Sequence, residues 1–258
     1  MPNVPQPPTR REPLETWEHY PLWQKIVATL RDIPKHFRSN ISVSGVLATE
    51  IFTYGSVLAP TIEQEIVRTL NSLRDHWDDG NYSDYSFVRQ AQTFPDVLLM
   101  SNSAILMGIE IKSWYLLAKE EEPTFRYKVS PECCAPADLF VVVPWSLSNV
   151  LSGSPIIFEP FVETARYVAE YRNYWWQHLR TTTDSTNITC PAKPQPYPGG
   201  RDESEDKPAY DGGGNFGRIA RSRLMDDYVS SLKATELIGI TVGRWIKFFK
   251  GKEQAATH

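Results

Sequence analysis

Cysteine is nearly missing from this sequence. Only Cys133, Cys134 and Cys190 occur, and two of them are adjacent. Neither a disulfide framework nor a tetrahedral zinc site with Cys-x-x-Cys spacing can be drawn from them. No stretch approaches the roughly 18 consecutive apolar residues that span a bilayer. The first residues, Met1 to Pro13, are Pro-rich and polar rather than charged-then-apolar, so they lack the pattern of a secretion signal. The expected location is the cytoplasm, with reduced thiols and no membrane partner. His19, His36, His76 and His178 are dispersed and show no His-Glu-x-x-His spacing, which leaves them no metal role. Gly212, Gly213 and Gly214 are not followed by Gly-Lys-Ser/Thr, so no nucleotide cofactor is expected and the run reads as a hinge. Positive charge is also short. The formal net charge of −4 argues against a protein that coats nucleic acid, so any contact with phosphates must come from a local patch.

Apolar residues are plentiful: 41% of the 258 residues are hydrophobic and 12% aromatic, enough for a packed core. Residues 1–15 read as a flexible tail and 16–258 as a single domain. Apolar spacing predicts a helix over Thr16 to Leu30, with Pro21 interrupting its first turn. A second helix is expected from Thr61, where Thr61 and Gln64 fit a capping box and Ile62, Ile66, Leu70 and Leu73 line one face to about Trp77. Strand patterns follow at Tyr85 to Ala91, Phe94 to Met100 and Ala104 to Trp114, the last two joined by Ser101, Asn102 and Ser103. Ser130 and Pro131 start a short helix that Pro136 ends, and Leu139 to Val143 is a β-branched run suited to a buried strand. Pro155 to Phe158 is a further strand candidate. A long aromatic helix is expected over Pro160 to Arg180, whose Trp175 and Trp176 read first as core residues. Residues 181–217 contain few aliphatics and read as a low-complexity loop or disordered insertion. Helical spacing resumes from Arg218 to Phe249, with a break at Gly239 or Gly243.

Charge within the central hairpin carries the chemistry. Glu110 and Lys112 are two apart on one strand and so share a face. With a loop of 101–103, antiparallel pairing sets Asp96 opposite Gly108 and diagonal to Glu110 on that face, and Gly108 leaves room for a ligand. A two-residue loop without a bulge would turn Asp96 to the other side, so the register is decisive. Two carboxylates and an ammonium on an apolar strand are costly unless a cation compensates, and hard oxygen donors suit Mg²⁺.

Pro95-Asp96 followed by Glu110-Ile111-Lys112, after a helix, resembles the PD-(D/E)XK nuclease superfamily, which includes most type II restriction endonucleases. The resemblance covers roughly Thr61 to Pro144. It implies an α/β fold with a restriction-endonuclease-like core, a mixed central sheet of about four or five strands flanked by helices. It further implies that Asp96 and Glu110 bind Mg²⁺, that Lys112 positions the attacking water, and that a Glu of the preceding helix joins them, Glu63 first and Glu65 as the fallback. The expected activity is cleavage of double-stranded DNA at a specific site by a homodimer, leaving 5′-phosphate and 3′-hydroxyl ends. A repair or recombination nuclease and a noncatalytic DNA-binding protein of the same fold are the alternatives. Arg218, Arg221 and Arg223, with Lys247 and Lys250, are candidate phosphate contacts. The triplet Glu205-Asp206-Lys207 repeats the short pattern inside the low-complexity segment, which shows how little the triplet says alone.

Overall fold

The computed structural model describes residues 5–90, 93–102 and 104–256. Met1 to Val4 of the expected tail, Ala91 of the first expected strand and Ser103 of the expected turn lie outside the described residues. In chain order the protein forms α1 (Tyr20–His36), α2 (Tyr54–Ser72), a short α3 (Arg74–Trp77), then β1 (Ser86–Arg89), β2 (Val97–Met100) and β3 (Ile105–Tyr115). β4 (Leu139–Leu147), β5 (Pro155–Ile157) and β6 (Phe161–Thr164) lead into α4 (Ala165–Tyr174). The last third holds a two-stranded ladder of β7 (Ile188–Thr189) and β8 (Lys207–Pro208), then α5 (Asp226–Ala234), a hairpin of β9 (Glu236–Leu237) and β10 (Ile240–Thr241), and α6 (Val242–Ala256). This is a mixed α/β architecture.

The central sheet runs β1-β2-β3-β4-β5, with β6 also paired to β4. The pairs β1/β2 and β2/β3 are antiparallel and β3/β4 is parallel. β5 and β6 share the far edge of β4, β5 along Trp145 to Leu147 and β6 along Leu139 to Val142. Every residue of β4 is buried, which explains its continuous apolar run. The parallel pair requires a crossover, and here residues 116–138 make it without an α-helix. Among the described residues no helix is long and apolar enough to cross a membrane.

Several elements depart from the sequence expectations. α1 starts at Tyr20, not Thr16, and Pro21 sits in its opening turn, where a missing N–H costs nothing. α2 begins at Tyr54 and runs through Pro60, so Thr61 caps nothing. Its added turns are held by packing: Ile51 just before them is fully buried, and Gly55 lies against the Tyr115 ring. The expected helix over Pro160 to Arg180 gives its first residues to β6, because Phe161 to Val142 pairing fills an otherwise open edge of β4. The break near Gly239 is the β9/β10 hairpin, whose turn places Ile238 at φ 52° and Gly239 at φ 72°.

Residues 181–217 are not a detached insertion. Tyr197 donates to Asp138 Oδ1 at 2.9 Å, Val129 bridges Glu205, and Phe216 is fully buried. Asp206, inside the triplet that copies the site pattern, pairs with Arg172 Nη2 at 2.6 Å, both side chains at most 2% exposed. Few aliphatics did not mean no burial: polar partners do the anchoring here.

Candidate active site

β2 ends at Val97, whereas β3 continues to Tyr115, so the β3 edge beyond Ile109 has no strand beside it. Its N–H groups still need acceptors. Asp96 Oδ2 accepts the Ile111 N–H at 3.1 Å, and Glu63 Oε1 accepts the Ser113 N–H at 3.3 Å. Two carboxylates thus replace a missing strand. Pro95, which has no N–H to give a ladder, stands just before β2 and delivers Asp96 to this position.

The hairpin register differs from the expected one. Leu98, not Asp96, faces Gly108, and Val97 faces Ile109, so one further step sets Asp96 across from Glu110. Two deviations produce this: Met100 pairs with Ile105, one residue beyond the expected turn, and a bulge at Leu106 adds another. Each alone would invert the face, and together they restore it. Gly108 is therefore not a ligand opening. A Cβ there would overlap Pro95 Cγ and come within 3.0 Å of Asp138 Oδ1, which accepts the Gly108 N–H at 2.6 Å.

Lys112 Nζ lies 2.7 Å from Glu110 Oε1 and 3.1 Å from Asp96 Oδ2, and Asp96 N–H donates to Glu110 Oε2 at 3.3 Å. Asp96, Glu110 and Lys112 therefore converge. Glu63 joins from α2: it accepts from Ser113 Oγ at 3.4 Å and lies 3.7 Å from Arg89. Glu65 does not. Its side chain is buried elsewhere and accepts the Asn40 N–H at 3.0 Å.

Electrostatics mark the cluster as short of positive charge. Burial pushes the Glu110 carboxyl up to about 7; Lys112 pulls it down and Asp96 pushes it further up. Phe94 and Tyr127 supply the apolar surroundings, with their rings 6.1 Å apart. Burial likewise raises Glu63, against the pull of Lys112. For Lys112 burial favours the neutral amine, but Glu110 and Asp96 reverse this and hold it above its ordinary range. Lys112 is thus a fixed ammonium. Among the described residues no three or more His, Cys, Asp or Glu side chains gather into a metal-holding set.

The cluster opens into a cleft of ≈ 340 Å³. Thr93, Phe94, Asp96, Glu110 and Lys112 line one side, and Arg126 to Val129 with Ser204 and Glu205 line the other. The second wall was not legible beforehand: it joins the β3–β4 crossover to a segment about eighty positions later. Arg218, Arg221 and Arg223 are not among the described residues that line the cleft. They sit on a 3₁₀ turn, where Arg221 is taken up by Glu122 at 2.7 Å, and Lys250 likewise pairs with Glu121. Trp176 is core, as expected, and burial pushes the Cys133 and Cys134 thiols up, away from nucleophilic use. No protein-family model matches the chain, and a sequence search of curated proteins returns no match.

Proposed function

We propose that the chain is a Mg²⁺-dependent endonuclease of the PD-(D/E)XK type, cutting double-stranded DNA at a specific site as a cytoplasmic type II restriction enzyme does. The observation that carries this reading is the convergence of Asp96, Glu110 and Lys112 on the uncovered edge of β3, with Lys112 Nζ 3.1 and 2.7 Å from the two acids. A charge count supports a cation: Asp96, Glu110 and Glu63 face one ammonium and a more distant guanidinium, and burial raises two of the three acids. Mg²⁺ suits such a donor set because it retains several waters and takes only one or two carboxylates. Asp96 and Glu110 would hold it, and when bound it supplies Lewis-acid polarisation of the phosphate.

The chain's own groups divide the remaining work. An ammonium has three N–H donors, and Lys112 gives two to Glu110 and Asp96. The third can hold the attacking water or a phosphate oxygen. Because the acids keep Lys112 protonated, it orients and neutralises charge rather than removing a proton. Glu63 and Asp96, anchored to the β3 backbone, keep the cluster in register. Water oxygen bonds to phosphorus as the P–O3′ bond breaks, the water gives up a proton to surrounding solvent and the departing 3′ oxygen takes one from solvent, leaving 5′-phosphate and 3′-hydroxyl ends. A homodimer suits a palindromic site, with one cut per protomer.

The test is incubation with intact plasmid and Mg²⁺. Discrete fragments are expected, and Asp96→Ala or Glu110→Ala lowers the rate by at least about 10²–10³ with the fold retained. Cutting only of branched or damaged substrates would make it a repair nuclease. Duplex binding with no cleavage of any substrate would leave a noncatalytic DNA-binding protein.

A further inference from the structure

The cleft wall facing the acids carries two cations, Arg126 and Lys128, that the chemistry above leaves unused. We infer that they form a ledge holding two successive backbone phosphates of the strand being cut. The inference rests on the nuclease reading and adds to it where DNA is gripped.

Burial alternates along this segment, with Tyr127 at 1% and Val129 at 5% exposure turned into the core, so Arg126 and Lys128 project together on the other side. Residues two apart on an extended chain are about 6.5–7 Å apart, comparable to the separation of neighbouring phosphates on one strand. The ledge's backbone is fixed before any ligand arrives. Tyr127 N–H donates to Gly217 O at 2.7 Å, Asp206 N–H to Lys128 O at 2.8 Å, and Arg172 Nη1 to Tyr127 O and Val129 O at 2.8 and 2.9 Å. A pre-set backbone loses little freedom on binding.

The glycines on the neighbouring segment acquire a reason. At Gly214 (φ 61°) a Cβ would overlap the Arg126 guanidinium, and at Gly217 (φ 85°) it would come within 2.9 Å of Lys128 Cγ. The backbone can thus lie flat along both side chains. Neither cation forms an ion pair among the described residues, whereas Arg221 and Lys250 are neutralised by Glu122 and Glu121. Charge balance points the same way. Asp96 and Glu110 repel a phosphodiester, and Lys112 alone does not offset the two acids. Arg126 and Lys128 add two positive charges to the same cleft in a chain whose net charge is −4.

The experiment measures affinity for a 30-base-pair duplex in EDTA across a KCl series, with full-length protein. Each lost phosphate contact makes the salt slope shallower by about 1, so Arg126→Ala with Lys128→Ala is expected to flatten it by about 2 and weaken binding whatever the sequence. Lys128→Gln alone should produce about half of that change, and Arg221→Ala should leave the slope as it was. A parental slope and affinity in both the double variant and Lys128→Gln would overturn the ledge, as would a parent protein that does not bind duplex at low salt. A ledge-dependent slope in a protein that cuts nothing with Mg²⁺ would instead overturn the nuclease reading and keep the ledge.

Discussion

Two ionic clusters flank the same stretch of chain, residues 126–129, one sealed in the interior and one opening into the cleft, and they are built on opposite terms. On one side Arg172 meets Asp206 at 2.6 Å, and its other nitrogens are taken by Tyr127 O, Val129 O and Asn173 Oδ1. One cation answers one anion, and every Arg172 nitrogen has an acceptor, while Asp206 Oδ1 has no partner among the described residues. On the other side Glu110 and Asp96 share Lys112, Glu63 stands 3.7 Å from Arg89, and burial lifts Glu110 to about 7. The first cluster is what a fold needs to close over a charge. The second holds an excess of negative charge, which folding alone would not favour and which a substrate-bound cation could use.

The comparison can be broken in four ways, beginning with the largest effect. Arg172→Ala strands Asp206 in the interior and is expected to cost about 3–5 kcal/mol in chemical denaturation, unfolding a marginal protein outright. If it costs under about 1 kcal/mol, the claim that this pair closes the fold is wrong.

Next comes pH. Burial raises Glu110 to about 7 and Asp138 to about 6, the latter despite hydrogen bonds from Gly108 N–H and Tyr197 Oη. The native state then keeps protons that the unfolded chain sheds from about pH 4 upward. Their unfavourable contribution is absent below that pH, grows as pH rises through the folded values, and is complete above about pH 7. Stability should decline by about 2–3 kcal/mol per group across that window, and Glu110→Gln should remove its share. A flat denaturation profile from pH 4 to 7, after allowance for the other acids, would count against the imbalance.

A smaller effect is expected at Gly108. Gly108→Ala drives a methyl into Pro95 and should cost about 1–3 kcal/mol while lowering cleavage by shifting Asp96. Unchanged melting and cutting would show that the contact gives way freely. Smallest in stability is Glu110→Gln at pH 8, which removes the cost of the ionised carboxylate but also its contact with Lys112, so the net should be neutral or stabilising by about 1 kcal/mol even as cleavage disappears. A clear loss of stability there would make the two clusters alike.

What could be read from the sequence follows the range of the forces involved. The β3 and β4 runs and the shared face of Glu110 and Lys112 follow from local alternation and appear as expected. The choice of Glu63 over Glu65 followed from helical spacing, and the geometry agrees. The start of α2, the identity of β6 and the exact partner of Asp96 depend on packing against distant residues. So does the second cleft wall, where Val129 meets Glu205. Residues 181–217 looked uncommitted because their anchors are polar: Asp206, Tyr197 and the backbone of Gly217.

The hairpin of β2 and β3 has a bearing on how such a chain can change over time. Its turn and its bulge at Leu106 each displace the pairing by one position, and only their sum leaves Asp96 beside Glu110. Losing or gaining one residue at either place would turn Asp96 away from Glu110 and reverse the faces of the buried Val97, Leu98 and Leu99 against β3. Length changes here should therefore survive only in compensating pairs, a constraint visible in gaps rather than in substitutions.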